Sequence, residues 1–204
     1  AFDNDGIEFT LPTVLGGMGW TFYGKDFVNL GVGGFAPESK KILLAAKELV
    51  NERLKKIYIP LNLKAAFLPA GGRIRRIAKE KTFLVGDSAG FVDPFSGEGI
   101  YYALTSAKIA TEVILKNKVA NEYQKQCYRM FLDEFRMSAI MSIMLGDREK
   151  MRRKGIDKQL LEAFYNILIV PPEDGCYRRF SYDIIKRETS PWVPFLWIKS
   201  LIFA

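Results

Sequence analysis

A strand–loop–helix pattern at residues 83–100 constrains the fold of this chain more than any other part of its sequence. The apolar run at residues 82–85 is typical of a buried strand, and residues 98–116 repeat apolar side chains at helical spacing. The loop between them, residues 86–97, is rich in glycine and is stiffened by Pro94. We therefore predict a strand, a glycine-rich loop and a helix in direct succession.

The residue types in this loop point to ligand binding. Gly86 lets a ligand approach the backbone closely, and Asp87 follows at the carboxyl end of the predicted strand, the usual ligand side of an open α/β sheet. The Asp87 carboxylate can accept hydrogen bonds from ligand hydroxyls. Ser96, Gly97 and Gly99 are expected to open a helix whose first N–H groups lack intrahelical partners and favour an anion.

A Gly-Asp dipeptide is also common in an ordinary strand-end turn, and Ser96 could be a plain N-cap. The concentration of such residues argues against that alternative. Within fourteen residues the chain has Gly86, Asp87, Ala89, Gly90, Pro94, Gly97, Glu98 and Gly99.

This segment resembles the second FAD-binding motif of the flavoprotein superfamily that includes p-hydroxybenzoate hydroxylase and the geranylgeranyl reductases. It is most similar to the geranylgeranyl reductase branch, because Ile100 stands where the aromatic hydroxylases commonly have Asn. The resemblance implies FAD as the cofactor, with Asp87 at its ribityl or pyrophosphate region and the Gly97–Ile100 backbone facing flavin N1 and O2. The cofactor-binding residues that it implies are Gly86, Asp87, Ser88, Ala89, Gly90, Pro94, Gly97, Glu98, Gly99 and Ile100.

A second segment resembles the substrate-domain signature of the same branch. It comprises residues 16–23 and 28–33, which the turn at Gly24-Lys25-Asp26 is expected to join as a hairpin. The resemblance implies an isoprenoid pocket. Its substrate-binding residues would be Trp20, Phe22, Gly31 and Gly33. Because alternating aromatic residues also suit ordinary sheet packing, that alternative stays open. Met18 and Tyr23 depart from the Tyr and Pro usual in the family, which leaves the substrate's chain length undetermined.

The order of patterns along the chain predicts an α+β fold with a helical C-terminal part. Short strands at residues 7–35 precede an amphipathic helix at 38–56, and further helices are expected at 121–153 and 157–169. By the resemblance, residues 1–70 would belong to a substrate-binding domain with an antiparallel sheet, 71–116 to the second FAD motif, and 117–204 to a helical region. The family's first unit, a dinucleotide-binding βαβ with G-x-G-x-x-G, is absent. We therefore expect the C-terminal half of a two-domain FAD/NAD(P)-binding flavoprotein of about twice this length.

Composition excludes several kinds of site. The chain has no histidine, which removes Ser-His-Asp and Cys-His catalysis and every His-based metal site. Its two cysteines, Cys127 and Cys176, are far apart and are expected to be reduced thiols of a cytoplasmic protein, with no metal site. No apolar run approaches the about 18 residues of a membrane span.

Charge and hydropathy leave membrane contact open. The net charge is +7, with a basic cluster of Arg148, Lys150, Arg152, Arg153 and Lys154. The end of the chain, residues 191–204, is apolar and contains two tryptophans, as in segments that lie in a membrane interface. The alternative for the basic cluster is a solvated helix face. The alternative for the apolar end is burial against the missing half of the protein. No signature of nucleic-acid binding accompanies the cluster, so no nucleic-acid partner is expected.

The leading hypothesis is an FAD-dependent oxidoreductase that reduces C=C bonds of geranylgeranyl chains. Its partners would be a prenyl-lipid substrate and the missing N-terminal half of the same protein. No catalytic residue is identified; a tyrosine close after the loop, such as Tyr101, is the suspected proton donor. The alternatives are a flavin monooxygenase, an electron-transfer flavoprotein dehydrogenase, or a non-catalytic membrane-binding or lipid-binding module.

Overall fold

The computed structural model describes residues 6–10, 14, 17–35, 37, 39–54, 64–72 and 76–145. The strands are β1 (Gly6–Thr10), β2 (Met18–Tyr23), β3 (Val28–Gly33), β4 (Ala78–Lys79) and β5 (Thr82–Phe83), and the helices are α1 (Ser39–Leu54), α2 (Ile100–Leu115) and α3 (Ala120–Leu145). A short 3-10 helix spans Gly86–Ala89. The predicted helix at 157–169, the basic cluster, the apolar tail and Cys176 lie outside the described residues.

The first three strands form one antiparallel sheet in the order β1-β2-β3. The predicted hairpin is confirmed, since β2 and β3 pair antiparallel and the Gly24 amide donates to the Phe27 carbonyl at 2.8 Å across the turn. The register sets Phe9 opposite Trp20 and Trp20 opposite Gly31. Because side chains alternate along a strand, these three positions share one face of the sheet.

Helix α1 packs against β3 in the same compact unit. It begins and ends within two residues of the predicted helix at 38–56. The helix buries Ala45, Leu49 and Leu54. Arg53 near its end forms an ion pair with Glu8 of β1 at 3.0 Å. In the strand register Glu8 lies opposite the fully buried Thr21. The ion pair therefore lies on the opposite face of the sheet from Trp20.

A second compact unit, within residues 68–141, contains α2, most of α3 and an aromatic core. The Tyr102 ring lies 5.2 Å from Phe131 and 4.6 Å from Phe135, and Phe91 lies 5.0 Å from Phe131, all between ring centroids. The two pairs with Phe131 are edge to face, a geometry that stabilises aromatic pairs beyond their burial alone. This core fixes the loop that precedes α2, because Phe91 belongs to that loop.

The segment before the loop differs from the prediction. Strand β5 is only two residues long, is half-buried, and pairs with β4 in a two-stranded antiparallel sheet. The Leu84 amide still donates to the Ile77 carbonyl at 2.8 Å, but Leu84 and Val85 are no longer strand residues and pack against the core. The expectation of a buried strand through Val85 was therefore wrong for the described residues. An apolar run looks the same in sequence whether it pairs in a sheet or packs on helices.

A helix must be both long and apolar to span a membrane, and the structure describes three α-helices. None of those at residues 39–54, 100–115 and 120–145 is long and apolar enough to cross a bilayer.

Candidate functional site

The loop from Gly86 to Ile100, called the Gly86–Ile100 loop below, opens with a tight turn. Gly86 has a φ of +54°, and a Cβ added to it would lie 2.8 Å from the Cβ of Ala103 in α2. Only glycine therefore fits at this position without displacing the helix. The Gly86 amide donates to the buried Oγ of Ser106 at 3.0 Å. The turn ends at Gly90, which has a left-handed backbone.

Ser88 closes the turn on itself. The Val85 amide donates to Ser88 Oγ at 3.1 Å, and the same hydroxyl donates to the Val85 carbonyl at 2.7 Å. Ala89 and Gly90 are buried. Ser88, Ala89 and Gly90, which the resemblance implies as cofactor-binding, therefore form the turn itself: Ser88 by its hydrogen bonds, and Ala89 and Gly90 as its buried residues.

Asp93 organises the second part of the loop, although the sequence analysis did not select it. Its Oδ1 accepts hydrogen bonds from the Phe95 amide at 3.0 Å and from the Ser96 amide at 2.7 Å. The Asp93 amide in turn donates to the Glu98 carbonyl at 2.8 Å. An Asp followed by Pro is the sequence signal of such a side-chain-stabilised turn, and it was present at Asp93-Pro94.

Helix α2 begins at Ile100 with Gly99 as its N-cap, not at Ser96. Ser96 bonds back to Asp93 instead, and so belongs to the turn. Glu98 Oε1 accepts the Tyr101 amide at 2.8 Å and satisfies one of the helix's first donors. Among the described residues, the amides of Gly99 and Ile100 donate to no group of the chain. These two neighbouring N–H groups are available to a ligand.

Asp87 lies beside this helix start. Its Oδ1 is 3.1 Å from the position that a Cβ on Gly99 would occupy, and the side chain is exposed. Gly97 has a φ of +73°, and a Cβ added to it would meet no atom within 4 Å. An exposed carboxylate, two available amides and open space over a glycine therefore come together at one end of α2.

A buried polar cluster supports the loop from behind. The Tyr123 hydroxyl of α3 donates to the Leu84 carbonyl at 2.6 Å. Burial raises the pKa of Tyr123 far above its usual 10.0, with Cys127 adding to the rise. Burial also raises the pKa of the Cys127 thiol from 9.0 to about 12. Both groups therefore stay neutral at physiological pH. Sequence patterns did not single out Tyr123 or Ser106, because each reads as an ordinary residue on an apolar helix face.

A second candidate site lies on the three-stranded sheet, on the face that carries Ile7, Phe9, Trp20 and Phe22, called the aromatic face below. Phe9 and Phe22 contact edge to face at 6.0 Å, and Trp20 lies 6.5 Å from Phe22. Ile7 is 67% exposed, and Phe22 is 36% exposed. The four residues implied as substrate-binding, Trp20, Phe22, Gly31 and Gly33, all lie on this face.

The glycines of β3 leave room for the indole. A Cβ on Gly31 would lie 2.3 Å from Cζ2 of Trp20, whereas one on Gly33 would lie 3.8 Å from Cζ3. The Trp20 ring therefore lies across Gly31, and its Nε1 donates to Asn29 Oδ1 at 2.9 Å. The ring is held flat along the sheet.

Comparison with known proteins bears on the family of the chain. No protein-family model matches the chain. The digeranylgeranylglycerophospholipid reductase of Methanococcus vannielii is 33% identical over 194 residues, which cover 92% of this chain and 49% of that protein. The menaquinone reductase of Mycobacterium tuberculosis is 24% identical over 201 residues, covering 94% of this chain and 47% of that protein. This chain thus spans about half the length of the curated relatives that it matches.

One solved structure has a similar fold. It is a geranylgeranyl bacteriochlorophyll reductase-like protein from Thermoplasma acidophilum, with a TM-score of 0.57 and 21% identity. The match covers 72% of this chain and 41% of that one. The mixed helix and strand structure described above is therefore a geranylgeranyl reductase-like fold. Together with the sequence relatives, it supports the geranylgeranyl reductase family for this chain.

Proposed function

We propose that this chain is part of an FAD-dependent oxidoreductase that reduces C=C bonds in the geranylgeranyl chains of a prenyl lipid. The proposal rests on the arrangement at the N-terminal end of α2, where Asp87 lies beside the available amides of Gly99 and Ile100. Family membership adds independent support, since the Methanococcus vannielii relative is named as a reductase of a digeranylgeranyl lipid.

The residues of the Gly86–Ile100 loop fit FAD. The Asp87 carboxylate is exposed and can accept hydrogen bonds from the ribityl hydroxyls. The Gly99 and Ile100 amides, at the positive end of the α2 dipole, can donate to the flavin N1 and O2 acceptors. Gly97 leaves space for a flat ring to approach the backbone. When bound, FAD would supply the electron pair for alkene reduction, as a hydride.

The aromatic face fits a prenyl chain. Its apolar side chains are partly exposed. The flat indole of Trp20 lies over Gly31 and extends this apolar surface. A branched hydrocarbon chain could bury this surface at about 25 cal/mol per Å² of apolar area removed from water. We assign residues 1–70 to the substrate-binding domain on this ground. Residues 71–116 would form the FAD motif and 117–204 a helical region, with the dinucleotide-binding half lying beyond this chain.

Anaerobic reduction of a geranylgeranyl lipid by the full-length protein tests the proposal. The purified protein is loaded with FAD, reduced with dithionite, and mixed with the lipid. We expect each reduced double bond to raise the product mass by two hydrogens, and Asp87→Ala to abolish the reaction through loss of FAD. If the lipid stays unchanged and the flavin-loaded protein consumes NADPH and oxygen in a separate aerobic assay, the protein is a monooxygenase and the proposal is contradicted.

A further inference from the structure

Two buried hydroxyls from different helices hold the backbone on either side of Val85. Ser106 of α2 accepts the Gly86 amide at 3.0 Å, and Tyr123 of α3 donates to the Leu84 carbonyl at 2.6 Å. Both side chains are fully buried. Water therefore cannot replace either hydrogen bond if the hydroxyl is removed.

The hydroxyls are also fixed by their own surroundings. Ser106 Oγ donates to the Ala103 carbonyl at 3.1 Å, so its acceptor lone pairs face the Gly86 amide. The Tyr123 ring packs edge to face on Phe83 at 5.4 Å. Each hydroxyl thus has one backbone partner in the turn, and Tyr123 also interacts with the side chains of Ser106 and Cys127.

These two hydrogen bonds fix the backbone directly before Asp87, and that backbone sets the direction of the Asp87 side chain. Gly86 has a left-handed backbone, with no room for a Cβ beside Ala103. A shift of the backbone at residues 84–86 would therefore change the direction of the Asp87 side chain. In the present geometry the Asp87 carboxylate lies next to Gly99 at the start of α2. The hydroxyls themselves are buried and cannot touch a ligand at that end.

We infer that Ser106 and Tyr123 are positioning residues for cofactor binding, acting through Asp87 on the ribityl hydroxyls of FAD. This inference rests on the function proposed above. Neither residue belongs to the motif by sequence, since Ser106 and Tyr123 lie 20 and 37 residues after Gly86. Their role is visible only from the hydrogen bonds.

A double-mutant cycle on the full-length protein tests the inference, with FAD affinity measured by quenching of flavin fluorescence. The variants are Ser106→Ala, Tyr123→Phe, Asp87→Asn, and each hydroxyl change combined with Asp87→Asn. Each hydroxyl change should weaken FAD binding about tenfold, as expected for one buried hydrogen bond. In the Asp87→Asn background the same changes should have a much smaller effect, because the carboxylate through which they act is replaced by a weaker, uncharged acceptor.

Two controls separate positioning from general loss of stability. Val113→Ala removes a buried side chain on the same face of α2 that makes no hydrogen bond to the turn, and it should leave FAD affinity within about twofold of wild type. Ser106→Thr keeps the hydroxyl and should restore most of the affinity. Equal tenfold losses with and without Asp87→Asn would overturn the positioning role alone. No FAD binding by the wild-type protein would overturn the proposed function together with it.

Discussion

Two glycines of the Gly86–Ile100 loop should respond differently to the same substitution. Both have positive φ, so alanine at either position costs about 1–2 kcal/mol of backbone strain. At Gly97 nothing further is expected, because the added Cβ meets open space. At Gly86 the Cβ would lie 2.8 Å from the Ala103 Cβ, which adds about 1–3 kcal/mol of overpacking. The free energy of unfolding should therefore fall by about 2–5 kcal/mol in Gly86→Ala.

Urea unfolding of the FAD-free protein measures this difference, and a flavin titration of the same samples completes the experiment. Gly97→Ala should be only mildly destabilised and yet lose at least tenfold in FAD affinity, since its methyl group occupies the space left for the ring. Two outcomes would refute this reasoning. One is a Gly97→Ala variant as unstable as Gly86→Ala, and the other is a Gly97→Ala variant that binds FAD like wild type.

Three further predictions follow from other parts of the chain. Because the pKa of Cys127 is raised from 9.0 to about 12 in the folded state, its contribution to stability is present below pH 9 and is lost as pH rises toward 12. Unfolding measured from pH 8 to 11 should show this decline, and Cys127→Ala should flatten it up to about pH 10, above which the raised pKa of Tyr123 adds its own decline. Gly31→Ala should displace the Trp20 indole, shift its fluorescence and weaken binding of a geranylgeranyl lipid, whereas Gly33→Ala should leave the indole and its fluorescence unchanged. Removal of residues 190–204 should reduce co-sedimentation with anionic liposomes if the apolar tail contacts membranes, and unchanged sedimentation would argue against that contact.

Sequence patterns located most of the elements because several local signals agreed at each. The turn at residues 24–26 lies between two alternating runs, and the β2–β3 hairpin formed there as predicted. Helix α2 follows its apolar spacing to within two residues at each end. The alternative of Ser96 as a plain N-cap was wrong, because Gly99 is the N-cap and the Ser96 hydroxyl donates to Asp93 instead.

The supporting contacts of the loop were beyond the reach of sequence patterns. Ser106 and Tyr123 lie on helices whose apolar spacing explains their burial without any polar role. Only the fold brings their hydroxyls to residues 84 and 86. Likewise, the resemblance named Trp20, Phe22, Gly31 and Gly33 without saying how they are arranged, and the strand register places them on one face.

Flavin content of the full-length protein, with and without an intact Asp87, tests the central claim most directly. The wild-type protein, purified and titrated with FAD, should bind about one FAD per chain and show the absorbance of a bound flavin. Asp87→Asn, which keeps the size of the side chain and removes its charge, should lower the affinity by at least tenfold, as expected when a charged hydrogen-bond acceptor is lost. A wild-type protein without flavin, or an Asp87→Asn variant with unchanged affinity, would contradict the assignment of the Gly86–Ile100 loop to FAD.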